Sequence, residues 1–338
     1  MYHSIWLKRL VIFAAFLACV VVALGAYTRL KDAGLGCPDW PGCYGFISVP
    51  DAHHEIEAAN SAYPHRPVEA HKAWPEMIHR YFASTLGLVI LIIAGLSIAA
   101  RRKNPQYPLK LPLFLLGLVI FQGLLGMWTV TLGLFPTVVM GHLLGGFTTL
   151  SLIFLLALRY FDIRPEPLQH PALFKFTIFG IVILALQIAL GGWTAANYAA
   201  TICTDLPICQ SGWQEHLNFG QAFKFWGHGV TDYEFGIHLG PDSKITIHVM
   251  HRIGAIVTTL YLAGLLSWIL FKLGHPLISK IAITALLILA LQVGLGVSNI
   301  LFNLPLAVAV AHNGVAALLM LSLISISYCL YKAGKNRA

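Results

Sequence analysis

Eight long apolar stretches, at roughly residues 9–27, 77–100, 111–130, 136–158, 173–194, 245–271, 280–299 and 305–331, constrain this 338-residue chain more than any other feature. Each approaches or exceeds the ~20 residues that a helix needs to cross a ~30 Å hydrocarbon layer. Lipid offers no water to an unpaired backbone N–H or C=O, so a helix, which satisfies both internally, is the default. Charged residues make up only 11% of the chain, less than half of the roughly 25% in a soluble domain. The sequence therefore predicts an all-α integral membrane protein with eight transmembrane helices. The first run has only eight residues before it and no small-residue cleavage pattern. It is read as a retained helix, with no transit peptide.

Basic residues set the expected orientation. Lys8, Arg9, Arg101, Arg102, Lys103, Lys110, Arg159, Arg164, Lys175, Lys272, Lys280, Lys332, Lys335 and Arg337 fall on one side, where the acidic residues are Asp162 and Glu166. The positive-inside rule makes that side, and both termini, cytoplasmic. The formal net charge of +8 is thus a topology signal, and no nucleic-acid surface is read from it. Two long connectors, about 28–75 and 195–244, lie on the opposite, outer side.

The chain repeats itself. Cys37-Pro-Asp39-Trp-Pro41-Gly-Cys43 in the first outer loop matches Cys203-Thr-Asp205-Leu-Pro207-Ile-Cys209 in the second. Each follows a helix ending Leu-Gly-x-aromatic-Thr, at Leu24–Thr28 and Leu190–Thr194. Gln122 precedes His142, and Gln292 precedes His312, by the same spacing; Pro136 and Pro305 open the last helix of each half. His79-Arg80 also corresponds to His251-Arg252. The expected architecture is two tandem four-helix bundles, residues 1–165 and 166–338, arranged as a parallel repeat. Leu125-Gly-Met-Trp-Thr129 and Leu295-Gly-Val-Ser-Asn299 hint at a smaller unit, a helical hairpin used four times.

Ionisable residues inside membrane helices usually mark sites. Four stand out: His79, His142, His251 and His312. Counted from Pro75 and Pro136 at 1.5 Å per residue, His79 and His142 lie roughly 6 and 9 Å below the outer helix ends. His251 and His312 repeat the arrangement. Two imidazoles at one depth in each bundle are what an iron porphyrin needs, one axial nitrogen on either face. A zinc site would want a third and fourth ligand that neither half supplies. Arg29, Arg80 and Arg252 are placed to pair with outward-pointing propionates. Gln122, Gln187 and Gln292, each followed four residues on by Gly, are read first as interhelical hydrogen bonders on a small-residue face. A hydrogen bond beside a haem is the alternative.

The halves differ at one position. Glu76-Met-Ile-His79 in the first becomes His248-Val-Met-His251 in the second. Three residues apart on a helix, Glu76 shares the face of His79, one turn outward. There a carboxylate can take a proton from a group held against the iron, or stabilise charge on it. A structural reading, an acidic residue favouring a helix N-terminus, stands beside it.

Glu-x-x-His-Arg at the start of the second helix, four bundle histidines and paired cysteines in both outer loops resemble the haem A synthase family, over essentially the whole chain. The resemblance implies oxidation of the C8 methyl group of haem O to a formyl group, giving haem A for terminal oxidases. It implies haem b as cofactor of the C-terminal half, by position on His251 and His312. Substrate haem O, from a haem O synthase, would then sit on His79 and His142, with Glu76 as the catalytic carboxylate. The electron acceptor and any homo-oligomer stay open. The implied location is a bacterial inner membrane, with the haem sites near the periplasm.

Cys37/Cys43 and Cys203/Cys209 face the oxidising side, where disulfides persist. A staple over the haem mouth is the first expectation, and thiol–disulfide exchange the sharper one. His53, His54, His65, His71, His216, His228 and His238 are expected to be solvated loop residues. The competing functions are a diheme b-type electron-transfer or quinol-oxidising cytochrome, which leaves Glu76 unexplained, and a transporter, which accounts for the repeat alone.

Overall fold

A computed structural model describes residues 5–161 and 171–335. Its helices, in chain order, are α1 (Ile5–Leu30), α2 (His53–Ala62), α3 (Ala70–Lys103), α4 (Lys110–Thr131) and α5 (Pro136–Phe161), then α6 (Pro171–Ala196), α7 (Phe219–Ala222), α8 (Pro241–Leu273), α9 (Pro276–Leu301) and α10 (Leu306–Lys335). Eight of these are long and apolar enough to cross a membrane, and each contains most or all of one apolar run. The chain is thus an all-helical multi-pass membrane protein. Asp162, Arg164, Glu166, Arg337 and the expected boundary between residues 165 and 166 lie outside the described residues.

Neighbour relations divide the eight long helices into two closed rings. In the first, α1 packs on α3, α3 on α4, α4 on α5 and α5 back on α1. In the second, α6 packs on α8, α8 on α9, α9 on α10 and α10 back on α6. The rings meet where α5 touches α6 and α10, and where α10 touches α1. Between lipid-facing helices no hydrophobic drive remains, so close packing of side chains holds these seams.

One continuous apolar core joins both rings, with Val11, Ile90, Ile153, Leu262, Leu266, Ile278 and Leu323 at its centre. On the histidine-bearing helices it begins inward of the histidines, by four residues on α10 and eleven on α8. Its outermost buried members on the histidine-bearing helices are Leu86, Phe147, Leu262 and Ala316. Farther out, the packing passes to separate clusters built around each cysteine loop. The histidine level therefore lies between a dense inner core and a looped outer cap.

The four helices that precede a histidine helix all end in the same way. Ala33 N–H donates to Thr28 O at 3.0 Å, Leu134 to Thr129 at 2.8 Å, Ala199 to Thr194 at 2.9 Å and Leu304 to Asn299 at 2.7 Å. Each bond closes a Schellman turn, whose penultimate residue must be left-handed. Those residues are Asp32 (φ 51°), Gly133 (φ 55°), Tyr198 (φ 52°) and Asn303 (φ 54°). Glycine occupies one of the four; Asp and Asn tolerate this region better than most side chains do.

Candidate functional site

Each histidine rests on a glycine of the preceding long helix. A Cβ on Gly25 would stand 3.0 Å from Cε1 of His79, and one on Gly126 would stand 3.5 Å from that of His142. Gly191 and Gly296 stand in the same relation to His251 and His312, at 3.1 Å each. These are the glycines of the four Leu-Gly motifs. The motif is a flat seat for an imidazole edge, found at all four histidine helices.

His79 and His142 face each other with ring centroids 6.4 Å apart and planes at 87°. Two metal–nitrogen bonds of about 2 Å, plus about 1.2 Å from each nitrogen to its ring centre, separate trans axial imidazoles by about 6.4 Å. Both rings are only half-buried, although Nδ1 of each is buried without a hydrogen-bond partner. The residues therefore fit an iron porphyrin held between them. Among the described residues no group of three or more His, Cys, Asp or Glu could hold a bare metal ion.

Glu76 is 5% exposed. Its Oε2 accepts from Cys37 N–H at 2.9 Å, and its Oε1 is ion-paired with Arg80. The Cys37–Cys43 disulfide closes the loop above it. Thr28 Oγ1 lies 2.9 Å from Leu24 O and 3.2 Å from Pro75 O, tying the end of α1 to the second turn of α3. So the carboxylate sits one turn outside His79, held between helix and loop.

The second half repeats the frame with different chemistry. Arg252 donates to the carbonyls of Cys203 at 2.6 Å, Asp205 at 2.5 Å and Ile208 at 2.8 Å. Its Nε meets His248 Nε2 at 3.2 Å, where the first half has the Glu76–Arg80 pair. Cys203–Cys209 is bonded as Cys37–Cys43 is. Each short loop gains about 2 kcal/mol from its disulfide on a chain-entropy basis.

Two expectations are corrected, those for the glutamines and for two loop histidines. The arginines are engaged by protein groups, although Arg29 Nε is buried without a partner. Arg80 holds carbonyls of Asp39 and Gly42 besides Glu76. Arg29 donates to Ala195 O at 2.6 Å, at the end of α6, and lies 4.0 Å over the Tyr198 ring. The glutamines are more than glue: Gln187 Nε2 stands 3.0 Å from His251 Nδ1 and Gln292 Nε2 stands 3.3 Å from His312 Nε2. Gln122 does pack on a small residue, Gly145. Two loop histidines are not solvated. His228 and His238 are half-buried, with centroids 4.8 Å apart, beside Tyr233. His228, Tyr233 and His238 lie five residues apart, a spacing that matches no regular element, so the sequence did not mark the cluster. His53, His54, His65 and His71 do lie at an exposed or half-buried surface.

Comparison with known proteins gives a consistent picture. Residues 8–324 match the COX15-CtaA family, described as cytochrome oxidase assembly protein. A heme A synthase of Shewanella oneidensis is 47% identical over 331 residues, 96% of each chain. One from Granulibacter bethesdensis is 26% identical, covering 95% of this chain and 86% of its own. A third, from Agrobacterium fabrum, is 27% identical over 94% and 87%. With matched histidine seats in both halves and a family match spanning nearly its whole length, the chain belongs to the COX15-CtaA cytochrome oxidase assembly family.

Proposed function

We propose that this protein is a haem A synthase, an oxidoreductase that converts the C8 methyl group of haem O to a formyl group. The observation that carries this reading is the opposed pair His79 and His142 with a buried carboxylate, Glu76, one turn outward in that half alone. The names of the relatives, at up to 47% identity, support it.

In this reading the N-terminal half, residues 1–165, takes haem O as substrate through His79 and His142. The C-terminal half, residues 166–338, holds haem b through His251 and His312. A bound haem b would supply one-electron transfer; with water as the oxygen donor, methyl-to-formyl oxidation releases four protons and four electrons, the electrons passing to an outside acceptor. The chain's own contribution is positional. The histidines fix the porphyrin's height and tilt, the Leu-Gly seats fix the rings, and the inner core excludes water from below. Glu76 keeps a proton acceptor beside the reacting edge, and Cys37 N–H and Arg80 hold it there. Both termini are cytoplasmic, and the site opens toward the periplasm of a bacterial inner membrane. Haem O arrives from a haem O synthase.

The test is co-expression with a haem O source, followed by chromatography of extracted haems. Haem b together with haem O or A supports the synthase, and His79→Ala should end haem A formation. Two equivalents of haem b and no haem A would replace it with a diheme electron carrier.

A further inference from the structure

We propose that Gln187 is a positioning residue that makes the haem of the second half resident, by bracing His251 with a side chain that the first half lacks at the matching position. The inference rests on the assignment of cofactor to the second half and substrate to the first.

Gln187 lies on α6 one turn before Gly191, so the two share a face. Gly191 seats the His251 ring while the Gln187 amide nitrogen meets its Nδ1 at 3.0 Å and its carbonyl oxygen at 2.9 Å. The side chain passes over Gly254 on α8, where any Cβ would collide with Gln187 Oε1. A primary amide offers both an N–H and a carbonyl, so it can serve either tautomer of the ring.

Counting back the same distance from Gly25 in the first half gives Val21. Valine has no side-chain hydrogen bond to give: only the Val21 backbone meets the His79 ring, and His79 Nδ1 is buried without a partner. The glutamines Gln122 and Gln292 occur in both halves and do not separate them. Gln187 does. A ligand ring tied through its other nitrogen is held ready for the iron, and losing such a tie typically weakens metal binding 10–100-fold. A substrate must leave as product, whereas a cofactor must stay. The brace falls on the side that must stay.

The experiment uses the haem-loaded full chain as wild type, Gln187→Val, Gln187→Glu and Val21→Gln. It reads the rate at which haem b passes to excess apomyoglobin in detergent, and the midpoint potential of the haem that remains. Gln187→Val should release haem b ~10–100-fold faster and move its midpoint, and Gln187→Glu should restore retention. Val21→Gln should slow release from the first half. Wild-type release and midpoint in Gln187→Val would overturn the proposal. If that variant does not accumulate, unchanged first-half release in Val21→Gln would overturn it instead. Full haem b content in His251→Ala would have a different meaning: the cofactor assignment itself would fall, and the brace with it.

Discussion

His79 on α3 and His142 on α5 stand across the first helical ring with their centroids 6.4 Å apart and their planes nearly perpendicular. That separation lies within the edge-to-face range for ring pairs, and it also leaves room for one iron between two ring nitrogens. Replacing either ring by Ala should empty the first site while leaving haem b in the second. Pyridine haemochrome analysis of purified His79→Ala and His142→Ala would read this as loss of haem O and A with haem b retained. Equal loss of haem b from both variants would refute it.

Glu76 should separate binding from chemistry. Glu76→Gln keeps an acceptor for Cys37 N–H but loses the charge that pairs with Arg80. General acid–base groups contribute about 10²–10⁴-fold, so haem A yield should fall by about 100-fold or more with both haems still bound. Glu76→Ala should do the same. A normal haem A yield in either variant would remove the carboxylate from the reaction.

The four glycine seats should not be equally sensitive. Ala at Gly25, Gly191 or Gly296 puts a methyl 3.0–3.1 Å from an imidazole carbon, whereas at Gly126 the gap is 3.5 Å. The first three force the ring to move by a few tenths of an ångström. Haem content should drop in those three and stay near wild type in Gly126→Ala. Absorption spectra of the purified variants decide it.

Arg252 ties the second cysteine loop to α8 and is 6% exposed. Arg252→Gln would strand several carbonyls at about 1–3 kcal/mol each, a loss of about 3 kcal/mol or more in total. Arg66, on the surface, bridges the two outer loops through Asp232 and Glu234 at 3.3 Å each. Arg66→Ala should cost less than about 1 kcal/mol. Thermal unfolding in detergent would rank the two, and the reverse order would show that the loops are held otherwise.

Acidification should loosen the second outer loop. Burial, then the nearby His228 and Lys244, push His238 down to about 4 from an ordinary 6.5. Burial lowers His228 as well. Nε2 of His238 bonds Asn197 Oδ1 at 3.0 Å, anchoring the loop to the end of α6. Between pH 6.5 and 4 the unfolded loop binds more protons than the folded one, so stability is full above that window and falls as pH drops through it. Proteolysis of the 195–244 loop should speed up from pH 7 to pH 5, and His238→Gln should flatten that response. A cleavage rate independent of pH in the wild type would contradict it.

Much of this molecule was legible in the sequence. The eight spans were, because lipid leaves the backbone no alternative to a helix and the apolar runs are unbroken. So were the duplicated landmarks, since Cys37/Cys43 and Cys203/Cys209, and the four histidines, recur at matched spacing. Both cysteine pairs are bonded within their own loops, as the staple reading required. What escaped was whatever depends on a partner from another helix. The Leu-Gly motifs were visible, but not that each glycine seats an imidazole. Gln187 was visible as a polar residue in an apolar run, but not its contact with His251.

Periodicity and polarity therefore determined the helices, their number and which buried polar residues were candidates for a site, because these follow from each segment's own relation to lipid. Tertiary structure alone decided where the arginines spend their charge, which glutamine touches which ring, and that two loop histidines pack together half-buried. Those outcomes turn on differences of one or two ångströms in how helices and loops fold onto one another, and no local pattern encodes them.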